Sequence, residues 1–178
     1  MKHSKKLAVC AVASIIAIVL SKNDGQIRTG QRGLEIIGNA EGCMLDPYKC
    51  PADVLTVGIG STEASGLKIE RNKRYTEQEI ADRWVYDLKK AERCVNMFAG
   101  GVNLPQGAFE AAVSLTFNVG CGKLRSSTLF KHARNGNIKA MCDQFPRWKY
   151  SGGKVLRGLV IRRDKEKELC LAGLSGQY

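Results

Sequence analysis

The chain lacks the motifs that announce most cofactor chemistry. It has no P-loop, no dinucleotide-binding glycine fingerprint and no H-E-x-x-H zinc motif, so no cofactor is implied. Its seven cysteines contain no C-x-x-C pair, which removes the usual framework of a structural metal site. Histidine is nearly absent. His3 sits in a basic N-terminal stretch and His132 in a basic helical stretch, and neither is read as catalytic. There is no internal repeat and no low-complexity tract. No motif of a nucleic-acid module accompanies the 28 Lys and Arg, so a nucleic-acid partner is not expected. The most apolar stretch, Leu7 to Leu20, has 14 residues, short of the roughly 20 that cross a bilayer.

What is present describes an exported, basic protein. A length of 178 residues fits one core, and 44% hydrophobic with 25% charged residues is ordinary for a globular chain. The formal net charge of +11 points to anionic partners: nucleic acid, an acidic membrane surface or an acidic wall polymer. Met1–Lys6 is a basic start before the apolar run, in the manner of a targeting segment. That run reads as a cleaved signal peptide, as a retained and weakly held anchor, or as a buried core helix. The lysines ahead of it place its start in the cytoplasm and the remainder outside. Residues 1–25 are therefore assigned to a signal-anchor segment with the start of a linker, and 26–178 to the folded domain. Seven cysteines agree with an oxidising compartment, and an odd count leaves one thiol over.

Periodicity is mostly helical. Apolar positions 34, 36, 37 and 40 suggest a short helix over 33–41. Between 43 and 61, β-branched residues 54, 56, 57 and 59 read as a hairpin, with Asp46-Pro47 as its turn signal. Thr76-Glu77-Gln78-Glu79 is a capping box for a helix that ends at Gly100-Gly101. Pro105 opens another helix, and shorter ones follow at 126–134, 137–145 and 159–172. Trp84 and Trp148 are read as core.

The informative stretch runs from Asn39 to Gly60. Glu41 is followed by Cys50 nine residues on and by Thr56 six residues later. This Glu–x8–Cys–x5–Thr spacing resembles that of the phage-type lysozymes, the endolysins of glycoside hydrolase family 24, where Asp or Cys occupies the second position. Further similarity lies in Val57-Gly58-Ile59-Gly60, Phe117-Asn118-Val119-Gly120, Arg147-Trp148, Arg157-Gly158-Leu159 and Arg162-Arg163, and it covers residues 33 to 173. The apolar start resembles the signal-arrest-release segment of one endolysin subgroup. The resemblance implies an α+β fold, a mostly α lysozyme with a small β lobe, here preceded by an apolar N-terminal helix. It also implies cleavage of the β-1,4 bond between N-acetylmuramic acid and N-acetylglucosamine in peptidoglycan, by a monomer exported to the host periplasm and first tethered to the inner membrane.

Residue chemistry fits that implication. Glycoside hydrolysis needs an acid on the leaving oxygen and a base or nucleophile on the other face. Glu41 falls at a helix C-terminus, whose partial negative charge and burial both favour a protonated carboxyl. Cys50 stands where most of the family has Asp, and its thiol needs a local donor or cation to ionise at neutral pH. Thr56 would hold the water. Asp46 and Asp53 are substitutes for the base, each more readily read as a turn residue. One of Arg162 and Arg163 is expected to pair with Glu41.

The cysteines add a regulatory reading. Cys43 and Cys50 flank the expected Asp46-Pro47 turn, so a Cys43–Cys50 bond across a hairpin would consume the working thiol. Cys10, inside the apolar run, would attack Cys43 and release Cys50 once that run left the bilayer, in the manner implied for the signal-arrest-release subgroup. Cys94, Cys121, Cys142 and Cys170 lie at helix ends and are expected to pair as Cys94–Cys121 and Cys142–Cys170, although other connectivities are open. Two rival functions share the composition. A cationic wall-binding or membrane-disrupting protein would tolerate loss of Glu41, and a lytic transglycosylase would not need Cys50 or Thr56.

Overall fold

A computed structural model describes residues 7–22, 25–50 and 52–176. The basic start at 1–6 lies outside the described residues. Eight helices and two small antiparallel sheets are described. Helix α1 (Val12–Lys22) is followed by α2 (Gln31–Glu41) and then by a three-stranded sheet. Its strands are β1 (Met44–Lys49), β2 (Leu55–Gly58) and β3 (Ser61–Thr62). Helices α3 (Glu77–Ala99), α4 (Gln106–Val119), α5 (Cys121–Leu124), α6 (Thr128–Arg134) and α7 (Ile138–Cys142) make up the larger lobe. The hairpin β4 (Tyr150–Ser151) and β5 (Lys154–Val155) precedes the last helix, α8 (Arg157–Ala172).

The core is built on α3 and α4. Helix α3 starts at the Thr76–Glu79 capping box, where side chain and backbone bond reciprocally, and it stops at Gly100 with φ 66°. Its inner face buries Ile80, Trp84, Leu88 and Val95, the spacing of one helical stripe. Helix α4 is covered almost all round: Ala108, Phe109, Ala111, Ala112, Val113 and Leu115 are each 0% exposed. Trp148 is half-buried against this core.

The expected turn at Asp46-Pro47 is corrected. Both residues lie inside β1, where the register with β2 slips between Met44 and Tyr48. A bulge of this kind accepts proline, because no ladder N–H is needed there. The reversal falls instead at Cys50–Val54. Cys50 N–H donates to Val54 O (3.0 Å), Asp53 N–H donates to Cys50 O (2.8 Å), and Asp53 takes φ 59°, a left-handed conformation that aspartate tolerates. Cys43 and Cys50 therefore sit at the two ends of one strand rather than across a hairpin. At about 3.3 Å per residue the separation is on the order of 15–20 Å, against a limit of about 7 Å between the Cα atoms of a disulfide.

The apolar N-terminal run is part of this fold. Val9 bridges Met44, Cys10 N–H donates to Cys43 O (3.1 Å) and Leu45 N–H to Ala8 O (2.8 Å), adding an edge to β1. Asp46 accepts from Ala8 N–H (2.8 Å) and is held by Arg74 (2.9 Å). Helix α1 then packs on α2 and α3 with Ile15, Ile16 and Val19 buried. The crossing with α2 is close, since a Cβ at Gly38 would lie 2.5 Å from Val12 Cγ1. Among the described residues no helix is long and apolar enough to cross a membrane.

Helix α2 has no cap of its own at Gly30. Glu110 of α4 supplies one, accepting from Gly30 N–H (2.7 Å) and Gly33 N–H (3.0 Å). Buried Glu92 of α3 accepts from Arg28 N–H (2.9 Å), Thr29 N–H (2.7 Å) and Thr29 Oγ1 (2.7 Å). Two carboxylates thus clamp the entry to the helix that ends at Glu41.

Candidate active site

Glu41 is the last residue of α2, and Gly42 turns the chain with φ 74°. Its Oε1 lies 2.8 Å from Arg162 Nη1. The arginine side chain is 4% exposed and the glutamate 24%, so a buried guanidinium fixes a carboxylate that still meets solvent. Arg162, not Arg163, is the partner left open by the sequence. Arg162 is itself anchored: Nε lies 3.2 Å from Glu166 Oε1, and Nη2 donates to Ser114 O at 3.0 Å. Ser114 Oγ donates to Glu166 (2.6 Å), Arg163 Nη1 lies 2.9 Å from the other Glu166 oxygen, and Arg163 Nη2 donates to Asn118 Oδ1. Burial pushes the Glu166 carboxyl up and the Arg163 guanidinium down, and their mutual attraction opposes both shifts.

The glycines of Val57-Gly58-Ile59-Gly60 serve two purposes. At Gly58 (φ +64°) a Cβ would run into Ile80 at 2.9 Å; at Gly60 (φ +66°) it would lie 3.0 Å from Glu41 Oε2. The first permits sheet-to-helix packing. The second lets the backbone reach the acid.

Cys50 is the free cysteine, partly exposed at the hairpin end. The N–H groups of Val54 and Ala52 hold its thiol below the ordinary value, with the Thr56 hydroxyl helping and burial opposing. Thr56 is 4% exposed, and its hydroxyl also reaches Val54 O at 3.0 Å. Its single proton is therefore shared between a carbonyl and the sulfur. Cross-strand register pairs Thr56 with Tyr48. The Tyr48 phenol is raised by burial first, then by the negative charges of Cys50 and of Glu41. The thiol end of the hairpin and the end of α2 thus share one electrostatic field.

The two substitute bases do not join this group. Asp46 is taken up by Arg74 and Ala8 N–H, and exposed Asp53 pairs with Lys49 at 2.6 Å. Two hollows flank the acid. One of about 460 Å³ is lined by Ile36, Glu41, Asn118, Leu159, Arg162 and Lys165; another of about 370 Å³ by Gly60, Thr62, Asp87, Phe117 and Gly120. The Phe117–Gly120 segment contributes to both, and neither hollow is wholly apolar, as a polysaccharide cleft requires. The remaining cysteines are bonded as Cys10–Cys43, Cys94–Cys121 and Cys142–Cys170, with Cα separations of 5.1, 5.9 and 5.6 Å.

Tyr48 was not singled out from the sequence, nor were Glu92 and Glu110. Strand alternation from Cys50 back to position 48 is the one signal that would have found Tyr48.

The chain matches the phage lysozyme family over residues 38–166. It is 44% identical to the SAR-endolysin of Escherichia phage P1, over 94% of this chain and 93% of that protein. Its fold superposes on the active form of the P1 phage endolysin Lyz with a TM-score of 0.87 at 43% identity, covering 96% of this chain and 99% of the other. Against the secreted inactive form of the same endolysin the score is 0.57 at 41% identity, covering 84% and 99%. The extent of the family match and these likenesses agree with the geometry around Glu41, and the chain belongs to the phage lysozyme family.

Proposed function

We propose that this lysozyme cleaves the β-1,4 bond between N-acetylmuramic acid and N-acetylglucosamine with Glu41 as general acid, Cys50 as base and Thr56 as holder of the attacking water. The coarser statement follows from membership: the chain is a muramidase, a glycoside hydrolase acting on peptidoglycan. The observation that carries the assignment is the pairing of an anchored carboxylate with an unbonded, donor-supported thiol across one cleft. Glu41 protonates the leaving O4. The Cys50 thiolate takes a proton from water as that water attacks C1, so each turnover returns both groups after proton exchange with solvent.

Glu41→Gln and Cys50→Ala, assayed on purified peptidoglycan, test this. A positioned acid is worth about 10²- to 10⁴-fold, so Glu41→Gln is expected to lose that much in kcat. Reducing-end products would accompany the wild type. Anhydro products would establish a transglycosylase instead, and undiminished lysis by Glu41→Gln a non-enzymatic wall binder. Inversion of the anomeric carbon, read by NMR, accompanies attack by water; retention would make Cys50 a nucleophile.

The same reading includes a membrane stage. The protein is exported as a monomer, residues 1–25 hold it at the inner membrane facing the periplasm, and a Cys43–Cys50 bond keeps it inactive. On release, the Cys10 thiolate attacks the Cys43 sulfur and the Cys50 thiolate departs, leaving the pairing described here. Because β1 separates Cys43 from Cys50, this strand and that bond exclude each other. A released Cys10→Ser variant tests the scheme: full lytic activity in that protein would refute it.

A further inference from the structure

Strand β1 carries a residue for which the scheme above has no use. Tyr48 is the register partner of Thr56, so the two side chains stand on one face of the hairpin. Alternation sends Lys49 to the other face, where it pairs with exposed Asp53, and returns Cys50 to the face of Tyr48 and Thr56. Tyr48 is half-buried, and among the described residues no group bonds its hydroxyl. A half-buried phenol beside two anionic side chains, with no protein partner, is an unusual expense for a position where phenylalanine would fill the same space.

We propose that Tyr48 is a substrate-contacting residue of this lysozyme, presenting its hydroxyl as a neutral hydrogen-bond donor to an oxygen of the N-acetylated sugar held between Glu41 and Cys50. The inference rests on the assignment of those two residues as the facing pair. Burial and the two neighbouring negative charges both disfavour the phenolate, so the hydroxyl keeps its proton where the enzyme works. A donor is the partner that hydroxyl and acetamido oxygens need. The groups that face it are Cys50 and Thr56 from the hairpin and Glu41 from α2.

Tyr48→Phe keeps the ring and removes the donor. Purified with the Cys10–Cys43 bond formed, it is expected to lose about tenfold in kcat/KM on peptidoglycan, the cost of one hydrogen bond in the reacting complex. Affinity for N-acetylglucosamine oligomers, measured by calorimetry, should fall with it. Its melting temperature and the rate at which iodoacetamide alkylates Cys50 should stay at the wild-type values, which separates a sugar contact from packing or thiol activation. Wild-type kcat/KM and oligomer affinity in Tyr48→Phe would overturn the inference. So would a loss explained by a lower melting temperature or a slowed alkylation. Glu41→Gln run alongside keeps the two claims apart: activity there undermines the catalytic pair, whereas activity in Tyr48→Phe alone removes only the tyrosine.

Discussion

At the scale of single residues, the thiol in place of the commoner aspartate sets the pH response. The working form of Cys50 is the thiolate, so activity rises with pH through the Cys50 titration, which the Val54 and Ala52 N–H groups place below the ordinary thiol value. A carboxylate titrates several units lower. Cys50→Asp is therefore expected to stay active and to carry the acid limb of the pH–rate profile to lower pH. A limb that does not move would show that another group limits the rate. The two motif glycines also separate cleanly. Gly60→Ala places a methyl 3.0 Å from Glu41 Oε2 on a φ +66° backbone, so kcat should fall at least tenfold with a modest loss of stability. Gly58→Ala collides with Ile80 and should instead lower the melting temperature. Thermal melts and initial rates on the pair distinguish these outcomes.

At the scale of elements, α1 has two environments that compete. Its apolar run holds eight Leu, Ile and Val residues, worth about 2–5 kcal/mol in a bilayer on an insertion scale. Docking buries Ile15, Ile16 and Val19, worth roughly 1.5–3 kcal/mol each. The terms are of one size, as release from a membrane requires. Gly38→Val would push a side chain into Val12 and should undock α1 without touching Glu41 directly. Hydrogen exchange across α1 should then rise, and a protected α1 in that variant would contradict the packing argument. Helices were the legible part of this chain, because α3 declares itself by its capping box and by a stripe from Ile80 to Val95. The bulge in β1 was not legible. Asp46-Pro47 is a turn signal by local propensity, and only distant partners, Ala8 and Arg74, hold it extended. Glu41, Cys50 and Thr56 were readable from spacing, whereas Tyr48 looks in sequence like any strand aromatic and needs the register to gain meaning.

At the scale of the whole molecule, the two bonds Cys94–Cys121 and Cys142–Cys170 tie the larger lobe together, spanning 27 and 28 residues. Chain-entropy arguments give about 3.5 kcal/mol for a loop of that length. Removing Cys94 and Cys121 together should cost stability near that figure in denaturant titration while leaving kcat close to normal. Charge acts on the encounter with substrate. A net charge of +11 against an acidic wall predicts that KM on peptidoglycan rises as salt is added, with kcat little changed; a salt-independent KM would remove electrostatics from recognition.

The clamp formed by Glu92 and Glu110 has a consequence for timing. Every partner it uses belongs to α3, α4 or the entry to α2, none of which depends on where the first helix resides. The acid arm of this enzyme is thus ready in advance, and only the sulfur arm awaits the arrival of residues 8–10 at the sheet edge. Switching on then requires one short hairpin to re-form, and the delay between detachment and lysis should be that of a local rearrangement, far quicker than the refolding of a domain.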